Sequence, residues 1–216
     1  KEFSKIYLPK DIVSGDFYWI HNHNDEKLLA VGDCTGHGVP GAFMSIMSIN
    51  ILTQIIEEGF TKPKDILIEL DGRLNRRLRQ NDQEVKDGID LALCLLNDKK
   101  ITFSSTHVSL YRVSNEQLYV YRGSSVYLGD GDTSRLESIE ISCEKGDLLY
   151  FFTDGFADQN GGEENKRFYS KRVQEMVLGN HKLPLNEQSE LFEATFNNWK
   201  GSKVQVDDVT VFCLKI

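Results

Sequence analysis

The chain is poor in the residues that announce many chemistries. Its 216 residues include only four cysteines and four prolines. Cys34, Cys94, Cys143 and Cys213 are widely spaced and form no C-x-x-C pair. Three sit in or beside apolar runs, so all four read as buried, reduced thiols, which suits a cytoplasmic protein. Positive charge is also scarce. Lys and Arg number 25 against 33 Asp and Glu, a net charge of -8, which argues against a nucleic-acid-binding face. No apolar run approaches the roughly 18 residues of a membrane span, which argues against direct membrane insertion. No signal peptide is visible. The first residue is Lys1 and not Met, so the chain reads as part of something longer, whose missing N-terminal segments could still attach it to a membrane. The five histidines show neither H-x3-H nor H-E-x-x-H spacing, so nothing points to zinc.

What is present is a dense pattern of short elements. "DFYWI" and "KLLAVGD" predict two strands around the polar turn "HNHNDE". Phe43, Met44, Met47, Ile51, Leu52, Ile55 and Ile56 recur at helical spacing over residues 40–58, and Gly59 is a helix stop. A second helix is expected from Thr61 and Pro63 to about Gln80, with Ile66, Leu67, Leu70, Leu74 and Leu78 inward. Six short β-like runs follow: "IDLALCLLN", "KITFSST", "SLYRV", "QLYVYR", "LESIEI" and "DLLYFFTD". Helices over residues 168–178 and 185–200 and a last strand, "DDVTVFCLKI", complete the chain. Helix pairs around closely spaced antiparallel strands predict an α+β fold. The expectation is a four-layer α/β/β/α sandwich in one domain, residues 1–216.

The stretch "GDCTGHGVPGAF" contains G-x-G-x-x-G from Gly36 to Gly41. A dinucleotide site would need a strand after the first helix, and here a second helix follows. A P-loop would need Lys-Ser/Thr where Ala42-Phe43 stand. Cys34 has no arginine after it to activate a thiolate. The carboxylates carry more information. Asp16 opens "DFYWI", Asp33 ends "LLAVGD", Asp154 ends "LLYFFTD", and Asp207 and Asp208 open the last strand. In antiparallel sheets, strand ends lie beside strand starts, so these acids can gather at one edge. Any one of them is explained by the frequency of Asp at turns. The set is not, because clustered carboxylates repel unless cations join them. Oxygen ligands select Mg²⁺ or Mn²⁺.

"DIVSGDFYW", "GDCTGHGVPGAFMS", "GDLLYFFTDGFADQNGG" and "DDVTVFCLKI" together resemble the ordered motifs of metal-dependent PPM-type serine/threonine phosphatases, most closely the bacterial SpoIIE-like branch that includes sigma-factor regulators. The resemblance runs from about Lys10 to the C-terminus. It implies a two-ion Mn²⁺ or Mg²⁺ centre, with Asp33 bridging the metals and the backbone carbonyl of Cys34, Asp154 and Asp207 as further ligands. Asp16 would hold metal-bound water, either touching a metal itself or reaching it only through that water, and Asp208 would support. The catalytic set so implied is Asp16, Asp33, Asp154 and Asp207. The implied function is hydrolysis of phosphoserine or phosphothreonine by a metal-activated water on a phosphoprotein such as an anti-sigma-factor antagonist. The branch also implies an N-terminal sensor domain and homodimerisation. The alternative is a catalytically silent sensor or binding module that keeps the fold.

Other residues carry less. His37 reads either as a phosphate contact or proton donor, or as a histidine shaping its turn. Thr35, Gly36, Gly38 and Gly41 read as loop-shaping, Gln159 as rim, Met44 and Met47 as core. Arg73, Arg76, Arg77 and Arg79 read as a solvated face. The segments "SSTHVSLYRV" and "GSSVYLGDG" depart from the family pattern and bear on substrate choice. The first helix begins directly after the loop carrying Asp33, so the helix pair is expected to be a regulatory lever.

Overall fold

The computed structural model describes residues 2–23, 26–78, 87–97 and 99–216. Arg79, the expected helix end at Gln80, and Asn24 and Asp25 of the first turn lie outside the described residues. Two five-stranded sheets are present. One contains β2 (Phe17–His23), β3 (Glu26–Cys34), β4 (Ile89–Leu96), β5 (Lys100–Ser105) and β8 (Ile139–Ser142), in that spatial order. The other runs β1 (Phe3–Leu8), β12 (Val209–Lys215), β9 (Leu148–Phe152), β6 (Leu110–Ser114), β7 (Gln117–Tyr121). Every neighbouring pair in both is antiparallel.

The layers follow from side-chain alternation along the strands. Leu29, Val31, Cys94 and Phe103 from one sheet meet Leu149, Phe151 and Phe212 from the other, forming the inter-sheet core. Their neighbours face outward. Leu28, Ala30, Leu91 and Leu93 pack on α1 (Gly38–Glu57) and α2 (Pro63–Leu78). Tyr150, Phe152 and Val211 pack on α4 (Tyr169–Asn180) and α5 (Leu185–Lys200). Strands buried on both faces read as continuous apolar runs, and each buried large aliphatic contributes about 1.5–3 kcal/mol. The result is the expected α/β/β/α sandwich.

Helix ends obey local chemistry. Gly59, at φ +93°, follows the first helix, a left-handed position where glycine carries no Cβ penalty. Pro63 opens α2, where its missing N–H costs nothing. All four cysteines are buried and outside any disulfide, which matches the sequence expectation.

Some expectations need correction. Phe43 is 67% exposed on α1, beside exposed Val39 and Ile46. It shares the helical spacing of the apolar residues but not their buried face, whereas Met44, read as core, is buried. Arg73 is not a solvated residue: it joins Glu69 on its own helix and Glu58 just after α1. Helix α1 is also long and apolar enough, by length and composition, to cross a membrane. Its buried residues, among them Met44, Ile51, Leu52 and Ile55, pack in the core under the first sheet, as a core helix of the fold requires. Strand β1 was not expected. Only Ile6 of its six residues is fully buried, so an edge strand of this kind gives a weak signal. The short helix α3 (Asp154–Asp158) and the hairpin β10 (Asn160–Gly161) and β11 (Lys166–Arg167) are too brief for any period.

Candidate metal centre

The acidic residues converge from both sheets. Asp16 immediately precedes β2, and Asp33 is the penultimate residue of β3; the register Phe17 to Gly32 makes these adjacent chain ends. Asp154 opens α3 two residues after β9, and Asp207 and Asp208 lead into β12, the neighbour of β9. The sheets are tied at this edge. Thr153 Oγ1 donates to Asp16 Oδ2 at 2.7 Å, and the amide of Thr210 donates to Thr153 Oγ1 at 2.9 Å.

Crowding shows in the protonation equilibria. Burial first, then the charges of Asp16, Asp154 and Asp207, push the Asp33 carboxyl up to about 10. Burial pushes Asp16 up to about 7, with Asp208 and Asp154 adding to the effect. Asp154 reaches solvent on one side, yet it is raised too, first by lost hydration and then by Asp207 and Asp158. A proton thus sits where negative charge is too dense to stand alone.

These residues fit a hard divalent cation. Asp16 Oδ1 is buried and has no hydrogen-bond partner among the described residues. The carbonyl oxygen of Cys34 faces Gly15, where an added Cβ would sit 3.1 Å from it. All donors are oxygens. The Cys34 thiol is pushed up to about 12 by burial, which removes it as a nucleophile. Among the described residues, no three His, Cys, Asp or Glu side chains form a ready-made ligand group.

The supporting loops are built by close approach. Gly36 and Gly38 have positive φ, as expected. Gly41 is needed for a different reason: a Cβ there would lie 2.1 Å from the carbonyl oxygen of Gly36. Ser45, one turn along α1, donates to the Gly15 carbonyl at 2.6 Å. Helix α1 is therefore fastened to both loops of the site. Asp208 does not face the cluster as a ligand would. Its Oδ1 accepts from Lys10 N at 2.7 Å and its Oδ2 from Gly15 N at 2.8 Å. It pins the loop that carries Asp16. Asp208→Ala leaves two amides without acceptors and should cost about 1–3 kcal/mol in urea unfolding. Asp208→Asn, which keeps one acceptor, should cost less.

Gln159, expected at the rim, is fully buried. It donates to the carbonyls of Asn160 and Val204 and accepts from Val206 N, which orders the segment entering Asp207. His37 is half-exposed, with Nδ1 2.5 Å from Asp11. Two residues escaped notice. Asp90 lies directly across from Asp33 in the β3–β4 register. His107 Nδ1 is 2.8 Å from Asp90 Oδ1. The available signal was an acid inside "IDLALCLL", a run otherwise buried.

The sequence model of the family described as Stage II sporulation protein E (SpoIIE) matches residues 24–216. The chain belongs to the SpoIIE family. This SpoIIE-family chain is similar to the SiaA-PP2C domain of Pseudomonas aeruginosa, at 32% identity and a TM-score of 0.91, covering 99% of this chain and 85% of that one. It is 26% identical to stage II sporulation protein E of Priestia megaterium, over 94% of this chain and 34% of the relative. It is 23% identical to phosphoserine phosphatase RsbU of Bacillus subtilis (strain 168), over 73% of this chain and 47% of the relative. The chain thus spans less than half the length of these two curated relatives. It shares the fold of that PP2C domain, as the motifs implied.

Proposed function

We propose that this SpoIIE-family chain hydrolyses phosphoserine or phosphothreonine in a protein substrate with the help of two Mn²⁺ or Mg²⁺ ions. The observation that carries this reading is the mutual electrostatic effect of Asp33, Asp16, Asp154 and Asp207, drawn from the two sheets, together with the buried Asp16 oxygen that has no partner among the described residues. Asp33, Asp154, Asp207 and the Cys34 carbonyl would hold the ions, with Asp16 alongside. When bound, the ions would supply a hydroxide nucleophile near neutral pH and offset charge on the phosphoryl oxygens.

The chain's own residues do the rest. Thr153 fixes the orientation of Asp16 through one oxygen, and the other is buried without a hydrogen-bond partner among the described residues. Asp208 sets the position of the Asp16 loop. The cavity of about 210 Å³ beside Asp33 and Asp154 has an apolar side formed by Val108, Tyr111, Phe152 and Val173, which limits water around a phosphoryl group. The similarity to RsbU, named a phosphoserine phosphatase, supports a phosphorylated signalling protein as substrate, such as an anti-sigma-factor antagonist. Residues 1–216 form one phosphatase domain in this reading. The greater length of the relatives supports an attached sensor domain, with a homodimer as the working unit. The fastening of α1 to the site loops supports a role for α1 and α2 as the lever between sensor and metal.

The test is dephosphorylation of a phosphoserine peptide and of p-nitrophenyl phosphate, with Mn²⁺ and with chelator. Turnover should depend on the metal. Absent turnover together with absent Mn²⁺ affinity would replace this reading with a silent binding module.

A further inference from the structure

The pair formed by Asp90 and His107 is not used by the metal-centred reading, yet it faces the same space. One cavity is lined by Asp33 and Asp154 and also by Asp90 and His107. Asp90 stands on β4 directly opposite Asp33 on β3. Its place is enforced: Thr35, two residues after Asp33, exchanges hydrogen bonds with the backbone of Gly88, two residues before Asp90. His107 comes from the turn after β5, anchored where the Thr106 amide donates to the Leu91 carbonyl and Thr106 Oγ1 accepts from the Leu91 amide. A carboxylate accepts from the ring at Nδ1, so Nε2 is the nitrogen left for a substrate. The His107 side chain is 52% exposed and that of Asp90 27%. The acid is held back in the wall and the imidazole stands at the mouth.

Resting on the phosphatase reading, we propose that His107, oriented by Asp90, donates the proton required by the leaving serine or threonine oxygen. In the step, a water-derived oxygen bonds to phosphorus and the bond from phosphorus to the side-chain oxygen breaks. The electron pair of that bond goes to the side-chain oxygen, which takes the Nε2 proton of the doubly protonated His107 ring. His107 regains a proton from water as the phosphate product departs, so the net reaction consumes one water and creates no charge. An alkoxide is a very strong base, so its departure without a proton is slow. An imidazole is the side chain suited to supply one near neutral pH. His37 is the other histidine near the acidic edge. It pairs with Asp11 and does not line this cavity.

A bland role exists for the same pair. His107 could merely offset the charge of Asp90, which adds to the repulsion acting on Asp154. The two roles separate by leaving group. p-Nitrophenolate leaves without a proton and serine does not. In the Mn²⁺-loaded protein, His107→Gln should lower the ratio of kcat on a phosphoserine peptide to kcat on p-nitrophenyl phosphate by about 100-fold or more, the usual worth of a general acid. Asp90→Asn should lower the same ratio by a smaller factor. A series of aryl phosphates should show a steeper dependence on leaving-group pKa in His107→Gln than in wild type. In the metal-free protein, ¹⁵N NMR should show His107 ring shifts that change in Asp90→Asn, because the charged acceptor becomes a neutral amide.

If both substrates slow equally in His107→Gln, the residue only balances charge and the proposal is overturned. A ratio that falls in His37→Gln and not in His107→Gln assigns the proton to His37 and overturns it too. Failure of wild type on both substrates would instead sink the phosphatase reading itself.

Discussion

Asp33→Asn should abolish Mn²⁺-dependent turnover of p-nitrophenyl phosphate, by roughly 10³-fold or more, while making the metal-free protein more stable. The two effects have one cause. Asp33 is the most strongly perturbed carboxyl of the cluster, raised by burial and by Asp16, Asp154 and Asp207 around it. Without a cation its charge is a liability, and an amide of the same shape removes it. With a cation the same charge is what binds the ion, and catalysis that depends on two metals loses most of its driving force with one ligand gone. The measurement is a pair of thermal melts beside the kinetic assay. Wild type should gain stability on adding Mn²⁺ and Asp33→Asn should not. A variant that keeps turnover, or keeps the Mn²⁺-induced shift, would remove Asp33 from the centre. The combination is more telling than lost activity alone, because a misfolded variant would lose stability as well.

The metal-free protein should also become less stable as pH rises from 5 to 8, the reverse of what paired surface carboxylates produce. An unfolded Asp releases its proton near pH 4. Folded Asp16 holds its proton to about pH 7 and Asp33 to about pH 10. Between those limits the unfolded state has lost protons that the folded state keeps. Stability therefore declines with increasing pH, by about 1.4 kcal/mol per pH unit for each retained proton. The decline begins near pH 4 and ends for Asp16 near 7, while that for Asp33 continues toward 10. Over three pH units, a loss of roughly 5 °C or more in Tm is expected for a chain of this size. Mn²⁺ should reverse the trend, with its largest stabilisation at pH 8, where protons compete least for the carboxylates. Melts at pH 5, 6.5 and 8, with chelator and with Mn²⁺, test this. A metal-free Tm that rises across the range would show that the acids do not crowd one another.

The aspartates at strand ends were legible because the signal is local: an apolar run stops and an acid stands at the junction. The helix pairs were legible for the same reason, since Ile51, Leu52 and Ile55, or Ile66, Leu67 and Leu70, share a face by helical period alone. Phe43 was misplaced because it shares the spacing of the apolar residues but not their buried face. Asp90 and His107 were not legible as a pair. They are 17 residues apart, on a strand and on a turn, and no period links them. Asp208 was expected to play a supporting part beside the cluster. Its role as a clamp depends on the amides of Lys10 and Gly15, which lie 198 and 193 residues away in the chain.

The sequence by itself determined the element types, the layered class of the fold, and the acids with their place at the junctions of strands and turns. These depend on residues within a few positions of one another, where side-chain alternation and helical spacing act. Only the tertiary structure decided which junctions meet. The sheet order β1, β12, β9, β6, β7 brings the start of the last strand beside the end of β9, and inter-sheet packing sets both against Asp16 and Asp33. Charge repulsion and hydrogen bonding act across space, so whether an acid is a ligand, a clamp or the partner of a histidine depends on what folding sets within a few ångströms of it.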